Sequence, residues 1–478
     1  MTFVTNDLVA ALPEIILLSM ACALLVIDLY LKPARRALIY ALAQITLILA
    51  LVAAAWVGGG PRETLFDGSF IRDPLADTLK IGLYLVTLLV FVYAKDDLRR
   101  LGLFKGEYYV LALFAVLGMS IMVSAGGFLS LYLGLELLAL CLYALVAFDR
   151  DSKTGPEAAM KYFVLGAIAS GFLLYGISLI YGATGSFQFQ NVAQALGVTI
   201  QSPQVLAFGL VFVLIGIAFK FGAVPFHMWS PDVYSGAPTS VVSFLGSVPK
   251  IAAFAIAIRI LAEGLGPLHA HWQPMLVVLA VLSMGFGNLV AIAQTNIKRM
   301  LAYSTISHVG FIFLGVLAAT PDGYADAMFY ALTYALMAAG GFGMIILLGR
   351  KGFEAESIAD FKGLNQRSPW YAALMALLMF SMAGVPPTVG FFAKLLVLEA
   401  VMNIGMVWLA VVGVVFSIVG AFYYLRIVKF MYFDEPEDTL PLSVSTDTHV
   451  ALSVNGLFML VLGIYPTGLI ALCKAAFG

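Results

Sequence analysis

The chain has 478 residues, of which 62% are hydrophobic and only 11% are charged, and its mean hydropathy is +1.00. Soluble domains carry about 25% charged residues, so this composition excludes a soluble globular protein and places the chain in a membrane. The formal net charge of −1 gives no indication of a nucleic-acid partner. The three cysteines lie far apart in apolar stretches, which disfavours a disulfide framework or a metal site: Cys22, Cys141 and Cys473.

Fourteen apolar runs are each long enough to cross a membrane. A spanning helix needs about 20 mainly apolar residues, and backbone groups in lipid must pair within the segment, which favours helices over strands. The sequence therefore predicts an all-α polytopic membrane protein. No basic segment of a secretory signal precedes the first run, so we expect that run to be retained. Spans 1–14 are centred near residues 20, 47, 85, 115, 138, 170, 217, 250, 282, 310, 337, 384, 416 and 460.

Lysines and arginines are concentrated on one side of the predicted membrane. The connections that follow odd-numbered spans carry seventeen of them, whereas the other side carries three. Because basic loops stay in the cytoplasm, we expect the odd connections to be cytoplasmic and both termini to be periplasmic, in a bacterial inner membrane. The three on the other side are Arg62, Arg72 and Lys474; the seventeen are Lys32, Arg35, Arg36, Lys95, Arg99, Arg100, Lys105, Arg150, Lys153, Lys298, Arg299, Arg350, Lys351, Lys362, Arg367, Arg426 and Lys429.

Two spans contain helix breakers at matching places. Pro225 interrupts span 7, and the sequence GVPP at 384–387 interrupts span 12. Each is the fourth span in a set of five, spans 4–8 and spans 9–13. Because each set has an odd number of spans, the second set starts on the opposite side of the membrane and is inverted relative to the first. Discontinuous helices at corresponding places in two inverted repeats indicate a transport site. The predicted division is a three-helix segment (1–105), two five-helix repeats (106–265 and 266–432) and a C-terminal helix (433–478).

Four ionisable residues lie in the middle of spans, where a charge costs about 2.5–3.5 kcal/mol. Two interpretations remain open: paired charges that hold helices together, or a proton or ion relay that faces water-filled cavities. Three lysines against one glutamate favour the relay. A lysine removed from water also releases its proton more readily. The four residues are Glu136, Lys220, Lys250 and Lys394.

Other polar residues of the spans have weaker indications. Lys80 and Arg259 fall near span ends, where long side chains can reach the headgroups, and Lys161 has Glu157 one turn before it. His308 titrates near neutrality and is either a relay group or a hydrogen-bonded structural histidine. Secondary candidates for the relay are His308, Lys161 and Tyr303. Lys220 is expected to sit at the free carbonyl end of a half-helix, with His227 and Trp229 in a supporting role.

Three long stretches carry a resemblance to a known family. KFGAVPFHMWSPDVYSGAPTSVVSFLGSVPKIAA (220–253), QTNIKRMLAYSTISHVGF (294–311) and SMAGVPPTVGFFAK (381–394) resemble the antiporter-like subunits of respiratory complex I. The resemblance implies a proton-translocating subunit with a polar axis along the membrane midplane. By position the axis residues are Glu136, which tunes Lys220; Lys250, which connects the halves; and Lys394, the terminal donor or acceptor.

The resemblance also implies what this chain lacks. The sequence contains no nucleotide-binding glycine motif and no cysteine cluster. The resemblance implies that NADH, FMN, iron–sulfur clusters and quinone belong to partner subunits, and no cofactor is expected on this chain. Expected partners are the other membrane and peripheral subunits of complex I, including neighbouring antiporter-like subunits, and membrane lipid. Two alternatives stay open: a subunit of a multisubunit sodium/proton antiporter, and a membrane scaffold whose buried charges merely pair.

Overall fold

The computed structural model describes residues 5–32, 35–197, 203–437, 440, 442 and 444–478; residues 1–4 of the predicted N-terminal segment lie outside them. The elements of the first half, in chain order, are α1 (Thr5–Ala10), α2 (Leu12–Tyr30), α3 (Ala37–Val57), β1 (Glu63–Leu65), β2 (Phe70–Arg72), α4 (Pro74–Arg100), α5 (Gly106–Val123), α6 (Phe128–Val146), α7 (Gly155–Thr184), α8 (Phe189–Leu196), α9 (Pro203–Phe221), α10 (Trp229–Gly236) and α11 (Thr239–Ala257).

In the described residues of the second half, the elements are helices. α11 first runs on as a π-helical stretch over Ile258–Gly264. The remaining elements are α12 (His269–Ile292), α13 (Ile297–Leu317), α14 (Pro321–Leu348), α15 (Leu364–Arg367), α16 (Pro369–Ala383), α17 (Val389–Asn403), α18 (Val407–Phe433), α19 (Thr446–Ile464) and α20 (Thr467–Ala475).

The predicted count of fourteen spans is confirmed. Within the described ranges, 13 helices are long and apolar enough to cross a membrane, and α16 with α17 forms a fourteenth span that is broken. α9 with α10 is the broken span 7. The hairpin of β1 and β2 and the short helices α1, α8, α15 and α20 were not predicted, because short elements beside the spans carry little periodic signal.

The two sets of five spans pack in the same pattern. In the first set α5 pairs with α6, α6 with α7, α7 with α10, and α5 with α11. In the second set the same places are taken by α12 with α13, α13 with α14, α14 with α17, and α12 with α18. The repeats meet where α11 and α10 pack against α14 and α13. We call the face with the seventeen basic connection residues the basic face, and the other the opposite face.

Burial separates the central helices from those at the periphery. In α11, α13 and α14 about 94% of the residues in the apolar 18-residue stretch are buried. In α2, α7 and α18 only about a third of the corresponding residues are buried. A helix that is apolar all round is expected at the centre of such a bundle. The centre of the protein is therefore the seam between the repeats, which is also where polar side chains must find partners.

The N-terminal segment is tied to this seam through α4. At the basic face the carboxylate of Asp97, which is fully buried, accepts from the backbone N–H of Ser240 at 2.8 Å, at the start of α11. Arg100 donates to the carbonyl of Ile346, near the end of α14, at 2.9 Å. One helix end thus satisfies backbone groups of both central helices, which would otherwise lack partners.

Lys80 and Arg259 do not lie where the sequence predicts, because both side chains are buried and neither reaches the headgroups. Lys80 is 2% exposed and pairs with Glu14 at 2.7 Å. Arg259 is fully buried and donates twice to Asp73, at 2.7 Å each, and also pairs with Glu263. Glu14 and Asp73 were visible in the sequence, but their distance along the chain from their partners, 186 residues for Asp73, concealed the pairing.

Candidate functional site

Spans 7 and 12 are both interrupted at a glycine with a left-handed backbone conformation. α9 ends immediately before Gly222, whose φ is 76°, and α16 ends immediately before Gly384, whose φ is 85°. A left-handed glycine just after the last helical residue is a common way for a helix to end. In each span a proline follows three residues later, Pro225 and Pro387, and delays the next helix. The two breaks therefore match position by position.

Each break holds a lysine ammonium on the carbonyl end of its first half-helix. Lys250 Nζ donates to the carbonyl of Phe221 at 2.8 Å, and Lys394 Nζ donates to that of Ala383, also at 2.8 Å. Phe221 and Ala383 are the last residues of α9 and α16, where carbonyls lack helical partners and carry partial negative charge. Lys394 also donates to Ser417 Oγ at 2.9 Å. A helix end thus takes the place of a carboxylate for both lysines.

Lys220 lies at the carbonyl end of α9, as the sequence predicts, but it is not the lysine that binds the last carbonyl there. Lys220 belongs to the last turn of α9, and the ammonium on the carbonyl comes from Lys250 of α11. When the breaks are aligned on Gly222 and Gly384, Lys220 precedes its glycine whereas Lys394 follows its own. Lys220 and Lys394 are therefore not equivalent residues of the repeat. In their contact with a break, Lys250 and Lys394 are the matching pair.

In the first repeat the structure brings Glu136, Lys220 and Lys250 together. The Glu136 carboxylate lies within electrostatic range of Lys220, and Lys220 lies within range of Lys250. Glu136 is half-buried on α6, and its Oε1 atom is buried without a hydrogen-bond partner among the described residues. Because charges away from water interact strongly, the protonation state of any one of these groups affects its neighbour.

In the second repeat His308 joins two tyrosines and lies near Lys394. Its Nδ1 atom is 2.7 Å from the Tyr330 hydroxyl, and its Nε2 atom is 3.0 Å from the Tyr424 hydroxyl. Tyr424 also bonds to the hydroxyl of Ser304. The imidazole lies within electrostatic range of Lys394. His308 is thus a hydrogen-bonded histidine whose two ring nitrogens face different hydroxyl groups, and the two earlier interpretations are compatible.

Hydroxyl groups fill the seam between these two clusters. Tyr334 donates to Thr305 Oγ1 at 2.7 Å, and its ring lies 4.9 Å from that of His308. Tyr234 of α10 is close to Thr305 and to Ser230. Because Lys250 lies against Trp229, at 5.7 Å from its ring, this seam joins the break of span 7 to His308.

Two secondary candidates lie apart from this row. Lys161 pairs with Glu157 at 2.9 Å, as the spacing predicts, and with Asp232 at 3.0 Å, but its side chain is 45% exposed. Tyr303 is buried on α13 with its ring 6.3 Å from that of Phe286. Lys161 thus anchors the second half of span 7 at the surface, and Tyr303 packs within the bundle.

Trp229 supports the break of span 7. Its indole N–H donates to the carbonyl of Phe219 at 3.0 Å, and its ring stacks on Tyr162 with centroids 4.5 Å apart. His227 is buried with its ring 4.8 Å from that of Phe286. Both residues contact the protein around the break, in agreement with the supporting role expected from the sequence.

We expect Trp229→Phe to lower stability modestly and to leave proton movement nearly unchanged. The phenyl ring keeps most of the stacking area and loses the hydrogen bond to Phe219, which costs about 1 kcal/mol in the free energy of unfolding. Thermal unfolding of the purified complex measures this cost. A large loss of proton pumping at unchanged stability would contradict the supporting role.

The hydroxyl groups that surround His308 were not predicted from the sequence. Tyr330 and Tyr334 are one turn apart on α14, a spacing that places both on one helix face. The same spacing separates Ser304 from His308 on α13. These patterns were present in the sequence, but tyrosine and serine are frequent in membrane helices and gave no distinctive signal. Among the described residues, no three histidine, cysteine or acidic side chains come together as metal ligands.

The fold and the site define a class: a polytopic membrane subunit in which two inverted repeats hold ionisable residues at broken helices, the arrangement of ion-translocating proteins. The family model described as NADH:quinone oxidoreductase/Mrp antiporter, TM, matches residues 125–420. A protein of Thioalkalivibrio sulfidiphilus named NADH-quinone oxidoreductase subunit N is 59% identical, over 100% of this chain and 99% of its own.

Solved structures agree. A chain of respiratory complex I from Thermus thermophilus is 31% identical with a TM-score of 0.83, and the match covers 97% of this chain and 100% of that one. A chain of the Mrp complex from Dietzia sp. shares the fold, with a TM-score of 0.86 over 99% and 97% of the two chains, at 22% identity. The chain belongs to the NADH:quinone oxidoreductase/Mrp antiporter family and, within it, to subunit N of the NADH-quinone oxidoreductases.

The chain is accordingly a proton-translocating membrane subunit of a multisubunit, proton-pumping oxidoreductase. The alternative of a separate sodium/proton antiporter rests on the shared fold alone, whereas several full-length relatives at 52–59% identity are named subunit N. The scaffold alternative does not account for this family membership.

Proposed function

We propose that Glu136, Lys220, Lys250 and Lys394 carry protons through this subunit. The observation that carries the proposal is the pair of lysines held on carbonyl ends at two matching breaks, Lys250 on Phe221 and Lys394 on Ala383. A carbonyl accepts a hydrogen bond from the ammonium and also from the neutral amine. A lysine held in this way can therefore lose and regain a proton without losing its position, which a relay requires.

The arrangement assigns a role to each group. Glu136 stabilises positive charge on Lys220, and positive charge on Lys220 disfavours it on Lys250. A change at Glu136 therefore moves the preferred position of the proton along the row. Lys250 passes the proton toward the hydroxyl groups of the seam, and Lys394 is the terminal group of the second repeat. Redox chemistry in other subunits supplies the energy.

The proposal includes an orientation. We assign the basic face to the cytoplasm and the opposite face to the periplasm, so that both termini are periplasmic and the chain lies in a bacterial inner membrane. The bias of seventeen basic connection residues against three supports this assignment. We also propose the division into a three-helix segment (1–105), two repeats (106–265 and 266–432) and a C-terminal helix (433–478).

Partner subunits complete the proposed assembly. Neighbouring antiporter-like subunits and the remaining membrane and peripheral subunits of the complex would contact this chain, together with lipid. NADH, FMN, the iron–sulfur clusters and quinone are assigned to those partners. Several peripheral helices support such contacts because they expose large apolar side chains, among them Phe172 and Tyr175 of α7 and Ile418 and Phe422 of α18.

Glu136→Gln tests the proposal. Glutamine keeps the shape of the side chain but removes the charge that acts on Lys220, so we expect proton pumping to fall by roughly fivefold, the scale of a coupling free energy of 1 kcal/mol. Proton uptake by inverted membrane vesicles should be measured together with NADH oxidation and the amount of assembled complex. The matched control is Glu157→Gln, which removes a carboxylate from an exposed ion pair with Lys161. Unchanged pumping and unchanged redox turnover in Glu136→Gln would refute the role of Glu136.

A further inference from the structure

A buried carboxyl group near the opposite face does not belong to the proposed relay of Glu136, Lys220, Lys250 and Lys394. Asp326 lies in the second turn of α14 and is only 7% exposed. Lys474 lies close to it, but its ammonium binds Asp322 at 2.9 Å, and among the described residues Asp326 forms no ion pair. A carboxyl group that is buried without a partner is costly, so its place in the bundle calls for an explanation.

Asp326 is aligned with the hydrogen bonds of His308. Tyr330, whose hydroxyl is 2.7 Å from His308 Nδ1, lies four residues after Asp326, so both side chains are on one face of α14. Helical side chains lean toward the helix N-terminus, and α14 begins at the opposite face. The Tyr330 side chain therefore leans toward the turn of α14 that carries Asp326, and this turn lies about 6 Å nearer to that face.

The groups next to His308 on the inner side and next to Asp326 on the outer side indicate the direction in which a proton would move. On the inner side the second nitrogen of His308 faces Tyr424, which bonds to Ser304. On the outer side, Asp326 lies within electrostatic range of two exposed carboxylates, Asp322 of α14 and Glu399 of α17. Hydrogen-bonding groups thus run from the centre of the second repeat to a group of carboxylates at the opposite face.

We propose that His308, Tyr330 and Asp326 form the route by which protons leave the second repeat at the opposite face. His308 accepts a proton at Nε2 from the inner side and becomes an imidazolium. It then releases the Nδ1 proton to the Tyr330 oxygen as the Tyr330 hydroxyl gives its own proton to the Asp326 carboxylate, which leaves the imidazole neutral. Only N–H and O–H bonds change, and Tyr330 ends the step neutral. Asp326 then passes the proton to the exposed carboxylates and to water. The inference rests on the proposed relay and adds its exit.

The test uses the assembled complex in inverted vesicles, with protons pumped per NADH oxidised as the measurement. We expect Asp326→Asn to lose the same share of pumping as Lys220→Ala, Asp326→Glu to retain it, and Tyr330→Phe to lose it. Tyr330→Phe removes a single oxygen atom, so it decides the matter if Asp326→Asn fails to assemble. The matched control, Glu157→Gln, removes an exposed carboxylate that belongs to an ion pair with Lys161, away from this route, and should pump normally.

The results of these variants distinguish a failure of the proposed exit route from a failure of the proposed relay. Normal pumping per complex in Asp326→Asn and Tyr330→Phe, together with loss in Lys220→Ala, would overturn the exit and leave the relay intact. Normal pumping in all three variants would overturn the relay as well. A lower amount of complex at unchanged protons per NADH would show that Asp326 is structural, and would also overturn the exit.

Discussion

Lys250→Met is expected to slow coupled proton pumping by roughly a hundredfold, the smaller end of the effect of removing a proton-transfer group. Methionine has a similar length and cannot carry a proton. The carbonyl of Phe221 loses its donor, and the row that begins at Glu136 is interrupted before the seam between the repeats. Vesicle acidification and NADH oxidation, each normalised to the assembled complex, measure the loss.

A matched control separates the loss of a carrier from the loss of any lysine. Lys161→Met also removes a lysine that forms hydrogen bonds, but its side chain is 45% exposed and bound to Glu157 and Asp232. Surface pairs of this kind contribute at most about 1 kcal/mol, so we expect nearly normal pumping. If Lys250→Met assembles and pumps as the parent does, Lys250 is not part of the relay.

Arg259→Ala is expected to lower the free energy of unfolding by about 3–5 kcal/mol, because it leaves a buried carboxylate without its partner. Arg259 is fully buried and binds Asp73, which is only 5% exposed, as well as the carbonyl of Val123. These contacts join the start of α4 to the end of span 8. The amount of assembled complex and its thermal unfolding temperature should both fall.

Arg62→Ala provides the control, since Arg62 contacts the same two carboxylates from outside. Its side chain is 49% exposed, with Nη atoms 2.6 Å from Glu263 and 3.7 Å from Asp73. We expect a cost of at most about 1 kcal/mol. The double variant Arg259→Met/Asp73→Asn, which removes both buried charges, should recover part of the loss. Equal costs for the two arginines would contradict the burial argument.

The same cluster predicts how stability depends on pH. Burial acts to raise the pKa of Asp73, but the Arg259 guanidinium, together with the Ala76 backbone N–H and Arg62, more than offsets this and holds that pKa below its ordinary value. The contribution of the pair is therefore complete above the ordinary carboxyl pKa of about 3.9 and is lost as the pH falls through the lower folded-state pKa. Acid titration of parent and Asp73→Asn measures the difference, which should vanish at low pH.

Local features of the sequence were sufficient for the overall plan. The number of spans follows from hydropathy because a bilayer requires about 20 apolar residues per helix. The two breaks follow from glycine and proline, whose backbone constraints are properties of single residues. Glu136, Lys220, Lys250 and Lys394 were conspicuous because charge is rare and costly in lipid.

The partners of the buried charges could not be predicted in the same way. Asp73 is 186 residues from Arg259, Tyr424 is 116 residues from His308, and Phe221 is 29 residues from Lys250. Such pairs depend on which helices are neighbours and how each is rotated, which hydropathy does not encode. For this reason the headgroup location expected for Lys80 and Arg259 was wrong.

By itself, then, the sequence determined that this chain is a bundle of fourteen spans with two broken helices, a basic face and four costly charges. Each of these follows from the cost of moving one segment or one residue from water into lipid. Only the tertiary structure decided that the ammonium of Lys250, and not that of Lys220, donates to the last carbonyl of α9, and that His308 connects Tyr424 to Tyr330. A hydrogen bond extends over about 3 Å, so its partners are known only once the packed helices bring distant residues together.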